Sequence, residues 1–339
     1  MYASYYGFRV KPFQLRPDPN FFFGSKGHRR AMAYLQYGLS QGEGFIVITG
    51  EVGAGKTTLV RNLFRTLESE NVLAAQIVST HLDSDDTLRM VAAAFGLPHE
   101  NASKASLLIS LESFFRQCER QGKRTLLVVD EAQNLSPKTV EELRMLSNFQ
   151  TDDKPLLQTF LLGQPEFRKT LLGGDMLQLR QRVTATYHLG PMDLSETHSY
   201  IEHRLNTAGW NGDPSFDEDA FETIFAHTGG IPRRINTLCD RLLLMGCLEQ
   251  LHRFGNAEVA EVIRDIRQEF DMSSMDDDHV DTGGAHSPVG EASGGLAHID
   301  ERIVKLEESV VSVLELLKQI LALAEVSKHL HRDEARRSP

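Results

Sequence analysis

The chain has 339 residues, 41% of them hydrophobic, and a formal net charge of -11. That is enough apolar material for one large or two ordinary domains with buried cores. The three cysteines, Cys118, Cys239 and Cys247, are too few and too scattered for a disulfide framework or a zinc site. No run reaches the roughly 20 apolar residues of a membrane span, and the opening Met1-Tyr2-Ala3-Ser4-Tyr5 lacks the flanks of a secretory signal. A soluble, cytoplasmic protein with reduced thiols is expected. From Asp271 onward there are 14 acidic against 7 basic residues, so the tail carries most of the negative charge. The remainder is ordinary for a soluble domain and gives no sign of a broad nucleic-acid surface.

Residues 1–30 form an aromatic, basic arm. Tyr2, Tyr5, Tyr6, Phe8, Phe13 and Phe21 to Phe23 sit among six Lys or Arg and one Asp. Pro12, Pro17 and Pro19 favour extended, turning backbone there. The aromatics either stack on nucleic acid or anchor the arm on the domain that follows, and anchoring is the expectation. A helix is predicted over 28–41, then a buried strand over 45–49, where β-branched and aromatic residues run without polar interruption. Helical and strand patterns then alternate: helix 58–68, strand 73–78, helices 87–95 and 105–121, strand 125–129, helix 141–147 and strand 156–162. This alternation predicts a parallel sheet covered on both faces.

Beyond residue 191 the pattern is helical only, over 196–208, 217–227, 232–249 and 256–270. A flexible acidic linker is expected over 271–297. From Ile299 to Ala324 apolar residues alternate spacings of four and three, as the seam of a coiled coil does. A helix of that length is marginal alone, so it self-associates, docks on a partner helix or packs back on the parent domain. The expected division is an arm and first helix (1–43), a nucleotide-binding domain (44–190), a small all-helical domain (191–270), the linker, and a coiled-coil helix (298–332).

Two elements carry chemistry. Gly50-Glu51-Val52-Gly53-Ala54-Gly55-Lys56-Thr57, followed by Thr58, is a phosphate-binding loop set between a strand and a helix. Its glycines let backbone N–H groups point at phosphates beside a helix N-terminus. Lys56 supplies a point charge to the β- and γ-phosphates, and the Thr57 hydroxyl suits Mg2+. The second element is the strand ending Val128-Val129-Asp130-Glu131. At the carboxyl edge of the same sheet Asp130 would hold Mg2+, while Glu131 would orient and deprotonate the attacking water. ATP with Mg2+ is therefore the expected ligand. Arg180, Arg182, Arg233 and Arg234 are candidates for the positive charge that the transition state needs.

Taken together, the loop, the Asp-Glu strand end, a polar residue after the next strand, an arginine pair and Gly229-Gly230-Ile231-Pro232-Arg233-Arg234 resemble the AAA+ ATPases. The sequence is similar in particular to the general-secretion-pathway A (ExeA-like) type. That likeness rests on Pro12-Phe13-x-Leu15-x-Pro17-Asp18-Pro19, Phe21-Phe22-Phe23, His28, Gly44-Phe45 and Leu161-Leu162-Gly163-Gln164-Pro165-Glu166. Within that type it resembles a subgroup associated with exosortase (PEP-CTERM) loci.

The resemblance covers residues 1 to about 270 and implies an AAA+ fold with a helical lid. It makes Gln164 the sensor of the γ-phosphate or attacking water, although Asn or Thr is commoner there. Arg182 becomes the arginine finger that reaches into a neighbouring subunit, with Arg180 as substitute, and Arg233 becomes the lid arginine that touches the γ-phosphate. It further implies a homo-oligomer that serves envelope secretion or polysaccharide assembly. A DNA-associated regulatory ATPase of the transposition-helper type is the alternative, disfavoured by the acidic balance. A nucleotide-dependent scaffold without turnover is a third, which Glu131 argues against.

Overall fold

Strand β1 (Phe45–Gly50) is buried at every position. Its side chains divide between two cores: Phe45 and Val47 join one hydrophobic cluster, and Ile46 and Ile48 join another. The same period of two splits β3 (Arg124–Asp130), with Leu127 and Val129 on the first side and Leu126 and Val128 on the second. A strand buried on both faces must be apolar throughout, which is why these segments read as continuous apolar runs. The computed structural model describes residues 1–67, 71–78, 84–151, 154–173 and 176–275.

The sheet is completed by β2 (Val72–Val78), β4 (Leu157–Gly163) and β5 (Val183–Leu189) in the order β2-β3-β4-β1-β5, with every neighbouring pair parallel. Helices α2 (Lys26–Gln41) and α3 (Lys56–Leu67) cover one face through Leu35, Leu59 and Leu63. The other face carries α4 (Ser84–Ala94), α5 (Lys104–Arg120), α6 (Pro137–Leu146) and α7 (Pro165–Leu172). This is the expected α/β P-loop architecture of AAA+ type.

Strand β5 was not expected from the sequence. It is an edge strand whose exposed Thr184, Thr186 and His188 alternate with half-buried Val183, Ala185 and Tyr187, so it lacks the apolar run of a central strand. Helix α6 begins four residues earlier than its apolar period suggests. Ser136 caps it by accepting the Thr139 N–H at 3.1 Å, and Pro137 occupies its first turn.

After the short α8 (Leu177–Arg180) and β5, the chain forms α9 (Leu194–Thr207), α10 (Glu218–Thr228), α11 (Pro232–Glu249) and α12 (Asn256–Met275). The only strands among these helices in the described residues are two-residue segments, β6 (Ser215–Phe216) and β7 (Arg253–Phe254), paired in parallel. Helix α12 runs to Met275, so 271–275 are helical where the linker was expected to start. The rest of that linker and the coiled-coil segment 298–332 lie outside the described residues. Among the described residues no helix is long and apolar enough to cross a membrane.

The arm is more structured than its prolines suggest, with α1 (Tyr2–Tyr5) and a 3-10 turn at Pro19–Phe21. Its aromatics are taken up by the four C-terminal helices: Tyr2, Tyr6, Phe8, Phe13 and Phe21 share one core with residues such as Leu205 and Leu242. Rings buried in this way are not a stacking surface for bases. Arg204 of α9, only 6% exposed, fastens the arm. Its guanidinium donates to the Pro12 carbonyl (2.6 Å), the Gln14 carbonyl (3.1 Å) and the Tyr200 hydroxyl (3.0 Å), and lies 4.8 Å from the Phe21 ring centre. Arg204→Ala strands buried carbonyls and is expected to cost about 2–4 kcal/mol in urea unfolding and to open the arm to limited proteolysis. A loss below about 0.5 kcal/mol, within the range of an ordinary surface substitution, would show that the arm is held elsewhere.

Candidate active site

Because the sheet is parallel, the carboxyl ends of β1, β3 and β4 share one edge, and ligands of open α/β sheets bind outside such an edge. Gly50 ends β1, Asp130 ends β3 and Gly163 ends β4. The loop after β1 turns directly into α3 at Lys56. Gly53 and Gly55 have φ of +84° and +96°, a region that residues with a Cβ rarely adopt. A Cβ on Gly53 would stand 2.4 Å from Arg233 Cβ, and one on Gly55 would stand 2.8 Å from His28 Nε2. The loop is thus pressed between α2 and the start of α11, where the Arg233 N–H donates to the Gly53 carbonyl at 3.2 Å.

Lys56 is 7% exposed, and its ammonium donates to the carbonyls of Gly50 (2.7 Å) and Glu51 (3.0 Å). Burial pushes its pKa down, opposed by Glu131, Asp130, Glu51 and Glu166. The Thr57 hydroxyl donates to Asp130 Oδ2 at 3.1 Å, and the Glu131 N–H donates to Asp130 Oδ1 at 3.0 Å. Burial raises the Asp130 pKa, while the Glu131 N–H and the Thr57 hydroxyl hold it down. Glu51 and Val52 are exposed, Ala54 is buried, and Val52 and Thr58 line the cleft.

The structure brings Gln164 to Glu131: its side-chain amide donates to Glu131 Oε2 at 3.3 Å. Glu131 itself sits in the left-handed region, with φ 55° and ψ 43°. Arg233 lines the cleft beside Lys56. Arg182 does not. It precedes β5 at the opposite edge of the sheet, where its carbonyl accepts the N–H of Phe45, the first residue of β1. Five strand residues, Phe45 to Thr49, or about 17 Å, separate its backbone from Gly50. Its guanidinium donates to Ser147 Oγ at 3.1 Å, and exposed Arg180 lies on the neighbouring α8.

Several participants escaped the sequence reading. Gln133, two residues past Glu131, donates to the same Oε2 at 2.5 Å. Arm residues Gln14 to Asp18 and helix residues Tyr200 and Asn236 wall the cleft. His28, noticed only as part of a resemblance, lies under Gly55 with its Nδ1 2.7 Å from Ser25 Oγ. A polar residue just after an acidic strand end was a usable signal for Gln133. For the arm there was none, since its contacts are long-range.

These residues fit a magnesium nucleotide. The loop turns through Gly53 and Gly55 at positive φ into the N-terminus of α3, an arrangement that suits phosphate, and the neighbouring Thr57 hydroxyl and Asp130 carboxylate are the hard oxygen donors that Mg2+ takes.

Fold and strand-end cluster together are those of an α/β P-loop fold of AAA type. A family model for the AAA domain matches residues 39–171. The chain is 38% identical over 261 residues to the General secretion pathway protein A of Aeromonas hydrophila, a match covering 77% of this chain and 47% of the relative. It thus spans about half the length of that protein. Among solved structures it is similar to the Aeropyrum pernix ORC2 protein in ADPNP-ADP complexes, with a TM-score of 0.59 and 18% identity over 75% of this chain and 71% of that one. It is also similar to CDC6P from Pyrobaculum aerophilum, with a TM-score of 0.59 and 17% identity over 73% and 70% of the two chains. The Thermotoga maritima RuvB Holliday junction branch migration motor gives a TM-score of 0.51 and 19% identity over 74% and 72%. At these identities the structural likeness concerns the fold alone.

His28 makes the loop sensitive to acid. Burial lowers its pKa from 6.5 to about 4, so the folded chain resists a proton that the unfolded chain accepts. Its contribution to stability is complete above pH 6.5 and is lost as pH falls toward 4. Wild type is expected to lose about 2 kcal/mol more than His28→Asn between pH 7 and pH 5 in urea unfolding. Parallel losses in the two proteins would contradict this role.

Proposed function

We propose that this chain is an oligomeric ATPase that hydrolyses ATP to ADP and phosphate, and that the turnover drives or regulates an envelope secretion or exopolysaccharide system. The observation that carries the hydrolytic reading is the meeting of Lys56, Thr57, Asp130, Glu131 and Gln164 at one sheet edge, with the Glu131 carboxylate held by amide donors. In this reading the loop N–H groups and Lys56 hold the phosphates, and Thr57 and Asp130 hold Mg2+. The metal supplies charge neutralisation at the phosphates. Glu131 accepts a proton from the attacking water, and Gln164 orients that water or the γ-phosphate.

Arg233 reaches the γ-phosphate from the lid, residues 191–270, whose first contact with the loop is the bond from Arg233 to Gly53. Lid movement follows the state of the phosphates through that contact. Arg182 acts on the site of a neighbouring copy, as the resemblance implies, a reading supported by the about 17 Å of strand between its backbone and its own loop. A lone subunit therefore lacks part of its transition-state charge. Service to a secretion system rests on the likeness to the Aeromonas hydrophila protein, and the exosortase link on the resemblance of the sequence.

Glu131→Gln is expected to bind ATP with wild-type affinity and to turn it over at least about 100-fold more slowly; equal rates would remove the hydrolase reading. Lys56→Ala should abolish nucleotide binding in a calorimetric titration, and retained tight binding would mean the loop has been misread. Each of Arg182→Ala and Glu131→Gln should be inactive alone, yet mixed subunits should recover part of the activity. Absence of rescue at every ratio would count against Arg182 acting between subunits.

A further inference from the structure

We propose that Gln133 is a positioning residue for hydrolysis, whose side-chain amide ties the Glu131 carboxylate to the backbone of Gln164 and so fixes base and sensor relative to one another. The proposal rests on the reading of Glu131 as the base.

The Gln133 amide uses both of its ends. Nε2 donates to Glu131 Oε2 at 2.5 Å, and Oε1 accepts the N–H of Gln164 at 3.0 Å. The partners fix the orientation of the amide. Turning it over would set NH2 against an N–H and a carbonyl oxygen against a carboxylate. Gln164 closes the triangle by donating its own side-chain amide to Glu131 Oε2 at 3.3 Å. One carboxylate oxygen thus receives two donors, which leaves Oε1 as the oxygen to meet the proton of a water.

Two local features favour a role in positioning over simple filling of the turn. Glu131 is held in a sparsely populated backbone region, which persists only where surrounding contacts over-determine it. The bridge from the turn Ala132–Asn134 to the next strand end is such a contact. Gln164, in turn, is the N-cap of α7, yet its side chain makes no capping bond there and is spent on Glu131 instead.

The isosteric Gln133→Glu variant separates the roles. Its carboxylate keeps the size of the side chain and can still accept the Gln164 N–H, but it faces Glu131 with an acceptor in place of a donor. Both Gln133→Glu and Gln133→Ala are expected to lower kcat about 10- to 100-fold, as loss of an orienting partner does elsewhere, with the ATP Kd within about threefold of wild type. Urea unfolding checks that both variants fold, with the midpoint of Gln133→Glu lowered by the like charge it sets against Glu131. In a Glu131→Gln background, Gln133→Ala should cause no further loss. A kcat within about twofold of wild type in folded Gln133→Glu overturns the proposal, as does an equal additional loss in the Glu131→Gln background. If Glu131→Gln itself turns over ATP normally, the base reading falls and this inference falls with it. If Glu131→Gln is inactive while Gln133→Glu is normal, only the inference about Gln133 fails.

Discussion

The close packing of the phosphate-binding loop constrains everything around it. At Gly53 and Gly55 the backbone adopts conformations that side chains disfavour, and it does so with His28 on one side and Arg233 on the other, too near for a Cβ at either glycine. A loop held this tightly cannot change shape without moving what it touches. His28 belongs to α2, and Arg233 lies in the first turn of α11. The state of the loop is therefore mechanically joined to both ends of the described chain, and packed cores transmit such displacements because they deform little.

The parallel sheet sets the rest of the arrangement. With β4 lying between β1 and β3, the strand end that supplies Gln164 stands between the loop and the carboxylates, which places a side-chain amide within reach of Glu131. The same topology sends Arg182 to the far edge. There its guanidinium meets Ser147 rather than its own loop, a placement consistent with the proposed action on a neighbouring copy. The arm adds a third wall. Its carbonyls are pinned by Arg204 and Arg61, the latter donating to the Pro17 carbonyl at 2.7 Å, so arm and helices close the cleft as one unit.

The sequence disclosed the central strands and the residues gathered at their ends, because burial on both faces forces an apolar run and the tight turn from strand to helix calls for glycines at positive φ. Gly50 to Thr57, Asp130 and Glu131 were legible for those reasons. β5 was not, since an edge strand can afford Thr184, Thr186 and His188 on its open side. The start of α6 was hidden because Ser136 and Pro137 lie outside its apolar period. The arm was half legible. Its aromatic content announced anchoring, but that its rings would enter the core of helices almost two hundred residues away depends on contacts that no local pattern encodes. Gln133 carried a partial signal, a polar residue just past an acidic strand end, but its second partner comes from a different strand end, brought near only by the order of the sheet.

Hydrolysis by paired copies, as proposed, is tested most directly by ATP turnover per subunit as the 339-residue chain is diluted, with mass followed in parallel. Specific activity should fall steeply where the oligomer dissociates, and Arg182→Ala should remain low throughout. Constant activity per subunit down to a verified monomer would contradict the claim that the site is completed by a neighbour.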